Sequence, residues 1–204
     1  GATMVLQGTH NANATSAKNE DVTDASYSID LELQKLFKEI DGKAFMHLET
    51  GQGAGVEDEL TVFSNVNKDA NNDQSVKIAE VYYEQNLFNK KMALIFGKLD
   101  PTVYLDTNAY ANDETAQFLG RIFRNSPTIE FPDNSAGLRL SLLPSELFDI
   151  ELGILDADAD WEDAFDSVFL GGQINLKPKF LDREGNYRLL GWLNDRNHTK
   201  WLDA

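Results

Sequence analysis

Ser26-Tyr27-Ser28-Ile29-Asp30-Leu31-Glu32-Leu33-Gln34 sets an apolar side chain at every odd position and a polar one at every even position. A strand turns successive side chains to opposite faces, so this run has one apolar face and one face carrying carboxylates. The same period recurs along the chain. Leu138, Leu140 and Leu142 alternate with Arg139 and Ser141; Phe148, Ile150, Leu152 and Ile154 alternate with Asp149, Glu151 and Gly153. Val168, Leu170, Ile174 and Leu176 alternate with Gly171, Gln173, Asn175 and Lys177. Weaker segments of this kind are Met4 to Ala12, Lys43 to Thr50, Val76 to Gln85, Met92 to Leu99 and Tyr187 to Asn194. Together they predict about nine strands.

The links between them sort by length. Asp41-Gly42, the stretch from Asn86 to Lys90, Pro144-Ser145-Glu146 and the stretch holding Glu184-Gly185-Asn186 are short. Asn13 to Asp24, Gly51 to Ser75, Asp100 to Ser135 and Asp156 to Asp166 are long. In an antiparallel meander every second link lies on the same side, so short turns face one way and long loops the other. Transmembrane β-barrels of the outer membrane have this layout, and a soluble Greek-key sandwich has no reason for it. The predicted fold is therefore all-β, an antiparallel up-and-down transmembrane barrel. Ala116, Leu119, Ile122 and Phe123 break the period at helical spacing, which predicts a short helix within Asn112 to Arg124 inside the longest loop.

Composition narrows the function. Across 204 residues, 18 basic side chains face 34 acidic ones, a formal charge of -16. Nucleic-acid phosphates need Lys and Arg, so no nucleic-acid partner is expected. The absence of cysteine removes disulfide scaffolds, thiol nucleophiles and Cys-rich zinc sites. A mean hydropathy of -0.40 argues against a transmembrane helix. It leaves a β-barrel open, since there only alternate residues meet lipid. The chain begins Gly1-Ala2-Thr3-Met4-Val5 without a basic signal region, and it ends at Ala204 without a cap. Neither end reads as a natural domain edge.

The stretch Gly97-Lys98-Leu99-Asp100-Pro101-Thr102-Val103-Tyr104-Leu105-Asp106-Thr107-Asn108-Ala109-Tyr110-Ala111-Asn112-Asp113-Glu114-Thr115-Ala116-Gln117-Phe118-Leu119 resembles a signature of the carbohydrate-selective porins (OprB-type). So do Asn125-Ser126-Pro127-Thr128-Ile129-Glu130-Phe131-Pro132-Asp133-Asn134-Ser135-Ala136-Gly137 and the lead-in Tyr83-Glu84-Gln85-Asn86-Leu87-Phe88. The resemblance is specific from Tyr83 to Leu140 and looser elsewhere. It implies an outer-membrane porin of Gram-negative bacteria that passes sugars and small polar solutes by diffusion, with no enzyme activity and no cofactor. Its surroundings would be outer-membrane lipid, with a homo-oligomer possible. Such barrels have roughly 16 strands, so residues 1–204 are expected to form a single, incomplete porin domain, the N-terminal half or middle of one.

A sugar constriction needs fixed donors, fixed acceptors and aromatic surfaces. The loop from Asp100 to Ser135 offers Arg121 and Arg124 as donors, with Asp106, Asp113 and Glu114 as acceptors. Asn108, Asn112 and Gln117 serve both ways, and Tyr104, Tyr110 and Phe118 supply platforms; Asp100 and Asp106 are expected to be structural. Asp156, Asp158, Asp160, Glu162, Asp163 and Asp166 do not fit an EF-hand, because Trp161 and Ser167 stand where Gly and Glu are needed. A solvated acidic loop is expected, and no metal site. His10, His47 and His198 lack metal-ligand spacing. Asp30 with Glu32 and Asp149 with Glu151 share strand faces and could suggest an acidic glycosidase, though water-facing charges of a barrel explain them as well. Tyr27, Tyr82, Tyr83, Trp192 and Trp201 lie near strand ends, as interface aromatics do. The competing reading is a soluble β-sandwich that binds carbohydrate through exposed Trp and Tyr.

Overall fold

The computed structural model describes residues 1–9, 21–59 and 65–196; His10, His198, Trp201 and the end of the first predicted strand lie outside these. Eleven strands appear in order: β1 (Ala2–Thr9), β2 (Val22–Phe37), β3 (Gly42–Gln52), β4 (Lys77–Leu87), β5 (Met92–Leu99), β6 (Ser135–Ser145), β7 (Phe148–Asp156), β8 (Val168–Leu176), β9 (Lys179–Phe180), β10 (Arg183–Glu184) and β11 (Tyr187–Asn194). Nine form one sheet in the order β1-β2-β3-β4-β5-β6-β7-β8-β11, and β9 with β10 form a separate small hairpin. Among the described residues this sheet is not closed on itself.

Nine strands match the nine alternating segments, two of them (Met92–Leu99 and Tyr187–Asn194) to the residue. The short links carry the turn chemistry such links need. Asp41 is left-handed (φ 51) before Gly42, and Phe88, Asn89 and Lys90 are all left-handed between β4 and β5. Leu181 and Asp182 have φ 49 and 57, a primed two-residue turn that suits the β9–β10 hairpin. β6 extends through Pro144 into the predicted turn, and the register shifts between Leu142 and Ser145. Proline has no N–H to give the ladder, which accounts for an irregularity there.

The helix is shorter than its spacing predicts. Only α1 (Arg121–Arg124) is helical. Asp113 instead accepts from the backbone N–H groups of Thr115 and Ala116 and from the Thr115 hydroxyl, which closes a turn. Gln117 Oε1 accepts from the N–H groups of Asn112 and Asp113. These local bonds compete with helix formation, and Gly120 is extended (φ -79, ψ 128), so the helix starts only after it.

The chain divides into two compact units. One comprises Gly1–Leu33, His47–Ala79 and Thr107–Thr128. In it β1 pairs antiparallel with β2, and the loop after β3 packs on the polar side of these strands. Asn67 donates to Ser26 Oγ (2.8 Å), the Ser28 hydroxyl donates to Asp69, and Asn71 donates to Glu49 (2.8 Å). Ser26 and Ser28 are buried while Tyr27, Ile29, Leu31 and Leu33 are exposed. From Ser26 to Ile29 the apolar face is thus the outer one, the reverse of a soluble sheet, while Glu32 and Gln34 further along are exposed as well.

The other unit comprises Gln34–Met46, Glu80–Asp106 and Ile129–Ala204. Its register aligns Phe96, Leu138, Ile154, Leu170 and Leu193 in one row and Ile95, Arg139, Gly153, Gly171 and Trp192 in the next. In the first row Phe96, Leu138, Leu170 and Leu193 are exposed, whereas Ile95 in the second is buried. The covered face carries an apolar cluster of Ile95, Leu99, Tyr104, Leu105, Ile129, Leu155, Ala157 and Phe169. Tyr104, Leu105 and Ile129 belong to the two ends of the longest loop, so burial of these residues fixes both ends to the strands.

Tyr82 lies on the covered face rather than at an aromatic rim, while Trp192 is 38% exposed. Tyr82 stacks on Phe45 (centroids 4.9 Å), under Lys43, and Trp192 stacks on the buried Phe169 at 6.5 Å. Adjacent residues of a strand face opposite ways, so Tyr82 and Tyr83 cannot both reach lipid. Tyr83, the register partner of Phe96, shares that residue's exposed face and packs against Phe37 and Phe96.

Candidate functional site

In the second unit, polar residues interrupt the covered face in charge-balanced groups. Arg139 Nε donates to Glu151 at 2.9 Å, and the Ser141 hydroxyl donates to the other Glu151 oxygen at 2.7 Å. The Arg139 guanidinium lies 4.6 Å from the Tyr104 ring centre, a cation–π distance. On β3 and β4, Lys43 Nζ lies 2.7 Å from Glu84 and 5.4 Å from the Tyr82 ring centre. Asn86 donates to Glu84 at 3.0 Å. Gln173 accepts from the Asp106 N–H at 2.9 Å, tying the loop to β8. Asn175 donates to Asp149, which also pairs with Lys177. Each of these three cations therefore has its own carboxylate, and an aromatic ring stands beside Arg139 and beside Lys43. Burial without a hydrogen-bond partner pushes the Tyr104 hydroxyl pKa well up, so it stays neutral.

In the first unit the loop residues fold around one another. Arg124 is buried and pairs with Glu114 at 2.5 Å. Asn108 Oδ1 accepts from the N–H groups of Tyr110 and Ala111, and its amide donates to the Phe123 and Arg124 carbonyls. Gln117 donates back to the Ala109 carbonyl. Asp113 is held below the ordinary carboxylate range by the Ala116 N–H and by Thr115. Arg121, Tyr110 (82% exposed) and Phe118 present side chains to the surroundings, with Phe118 tilted on Phe123 at 5.1 Å. Asn112 is half-buried. Of the eleven residues offered for a constriction, the structure joins Arg124 with Glu114, commits Asn108, Asp113 and Gln117 to the loop's own turns, and buries Tyr104 in the other unit. Asp106 lies in the other unit, at a left-handed position (φ 56). Asp100 caps the turn at Pro101–Val103 by accepting from the Thr102 N–H and hydroxyl.

Sequence reasoning missed the Arg139–Glu151 and Lys43–Glu84 pairs. Their signal was present, since Arg139 and Glu151 are polar interruptions in strongly apolar strands. Only the register, however, brings β6 and β7 together. Three of the four carboxylates that suggested a glycosidase are engaged: Asp30 with His47 at 3.0 Å, Asp149 with Asn175, and Glu151 with Arg139; Glu32 is exposed. In the acidic loop, Asp156, Asp158 and Asp166 bring carboxylate oxygens within 4.8 Å of one another, while Asp160 caps the Glu162 N–H. Partial desolvation and Asp158 hold Asp166 above its ordinary value. A hollow of about 600 Å³ lies on the apolar face among Leu138, Leu140, Leu152, Leu170 and Leu193. Apart from Trp192 its lining is leucine, isoleucine and glycine, with little to take a sugar hydroxyl, so the polar face is the better candidate.

A family model described as carbohydrate-selective porin, OprB family, matches residues 17–204. An uncharacterized protein of Aquifex aeolicus (strain VF5) is 33% identical over 148 residues, which is 72% of this chain and 43% of that protein. The solved high-pH structure of Pseudomonas putida OprB aligns at TM-score 0.68 and 14% identity, covering 95% of this chain and 52% of that one. The chain thus spans about half the length of the proteins it matches, or somewhat less.

Proposed function

Since the chain belongs to the OprB family of carbohydrate-selective porins, which is not an enzyme family, we propose that it supplies strands and a constriction loop to a bacterial outer-membrane pore. Carbohydrates and other small polar solutes would cross this pore by passive diffusion, in a barrel surrounded by outer-membrane lipid. The observation that carries the reading is the inverted burial of the strands. Tyr27, Ile29, Leu31 and Leu33 are exposed while Ser26 and Ser28 are covered; Leu138 and Leu170 are exposed while Ser141 and Gln173 are covered. Such a sheet in water would expose its apolar side chains without compensation, and in hydrocarbon those side chains are where they belong.

The polar face suits neutral solutes. Paired Arg139–Glu151 and Lys43–Glu84 carry no net charge as pairs, so neither cations nor anions gain from approaching them. Their remaining donors and acceptors can replace water around sugar hydroxyls, and Phe45, stacked on Tyr82, offers a flat surface. In the loop, Arg121 is the exposed donor and Tyr110 the exposed platform.

Liposomes loaded with the complete protein should swell in sugars faster than empty ones, and sugar should block single-channel current. Arg121→Ala and Arg139→Ala should each weaken that block. Liposomes no more permeable than protein-free controls would end the porin reading.

A further inference from the structure

Gly153 on β7 and Gly171 on β8 are direct partners in the register. The longest loop seats its first turn on them. A Cβ on Gly153 would stand 2.6 Å from the Tyr104 hydroxyl and 3.2 and 3.3 Å from two carbons of its ring. A Cβ on Gly171 would run into Leu105 Cδ1 and come within 3.1 Å of the Phe169 ring. Neither glycine has a left-handed backbone, so the need at both places is for space, not for torsional freedom. Tyr104 and Leu105 are 4% and 1% exposed, and the Tyr104 hydroxyl has no hydrogen-bond partner. Packing and the Arg139 guanidinium over the ring are therefore what hold this side chain.

We propose that Gly153 and Gly171 are positioning residues of the pore: they are sockets that set where Tyr104 and Leu105 rest and, through Tyr104, where Arg139 is held. A methyl group at either socket lifts the loop's first turn off the sheet. The consequence for solute passage rests on the porin reading; the seating itself does not.

The Asp106 N–H donates to Gln173 Oε1 on β8 (2.9 Å), so its hydrogen exchange reports the seating directly; the Leu105 N–H donates to the Pro101 carbonyl (3.0 Å), so its exchange reports the turn being seated. In the complete protein in detergent, Gly153→Ala should speed exchange at these two amides about tenfold, because a close-packed site has no room for the methyl. Adding Tyr104→Phe removes the atom of closest approach and should restore slow exchange. Gly191→Ala, with nothing within 4 Å of the added Cβ, should change neither amide. Conductance and sugar block in bilayers should follow the same order: altered in Gly153→Ala, recovered in the double variant. Unchanged exchange in Gly153→Ala overturns the proposal, and so does a double variant that stays fast. If Gly153→Ala does not fold, recovery of folding in the double variant supports the socket, and a double variant that also fails overturns it. The expected exchange pattern in a protein without sugar-blocked current supports the socket and removes the porin reading alone.

Discussion

Asp113 holds a turn that carries much of the loop's local order, since its carboxylate accepts from Ala116 and Thr115 at 2.8 to 2.9 Å. Those bonds favour the charged form and depress its pKa below the ordinary 3.8. A carboxyl whose folded value is depressed contributes stability that is complete above the unfolded value and is lost as pH falls through the folded one. The turn should therefore be firm at neutral pH and loosen only in acid below 3.8. Asp113→Ala should cost about 1 kcal/mol locally, as loss of a capping acceptor does. Asp113→Asn keeps an acceptor oxygen but cannot be protonated, so it should cost less and lose the acid dependence. Hydrogen exchange at residues 114–118, followed from neutral pH down to about 2, checks both; an Asn variant as acid-sensitive as the parent would refute the assignment. The same residue illustrates why the loop was hard to read. Its helical spacing was real, but a short side chain able to bond its own backbone outweighs a spacing that only tertiary packing could reward. Ile122 and Phe123, which would have made the helix's buried stripe, are exposed.

Strands, in contrast, were legible because a period of two needs no tertiary information. β2 shows this best: its alternation predicts which side chains share a face, and the structure exposes Ile29 at 45% while Asp30 bonds His47 across the polar face. Spin labels at positions 29 and 30 of the complete protein in lipid should thus report opposite environments, oxygen-accessible at 29 and accessible to a polar relaxation agent at 30. Ile29→Arg should destabilise the folded protein by about 2–4 kcal/mol, the cost of a cation on a lipid-facing strand near mid-membrane. Equal accessibilities at the two positions, or an Arg variant as stable as the parent, would mean that this face does not meet lipid. What alternation cannot supply is register. Arg139 and Glu151 are 12 residues apart in sequence and become an ion pair only because Leu138 lies opposite Ile154 and Leu140 opposite Leu152. A slip of one residue would have sent one of the two charges to the apolar face. For that reason the sequence exposed the loop's chemistry and hid the pairs on the strands.

At the scale of the whole molecule, the sheet order leaves the outer edges of β1 and β11 without a partner strand among the described residues. Every pair in the ladder whose register is described is antiparallel, and nine strands in meander order set β1 and β11 running the same way. Single-chain bacterial outer-membrane barrels close with an even number of strands, first against last and antiparallel. Each backbone N–H or C=O left bare in hydrocarbon costs several kcal/mol, and each edge strand here has 8 residues. Two such edges cost more than the typical stability of a folded domain, about 5–15 kcal/mol. The 204 residues alone should therefore not exist in a bilayer as a single-copy pore. They should either stay out of the membrane or join their edges to further strands, from a longer chain or from another copy. The chain's coverage of its relatives, 43% of one and 52% of the other, makes further strands of the same protein the simpler source. Refolding the 204-residue chain into detergent, sizing it, and then recording from bilayers decides the matter. Aggregates, edge-joined oligomers or silent bilayers are expected. Discrete current steps from a species sized as one copy would show that the edges close on each other and that nine strands suffice.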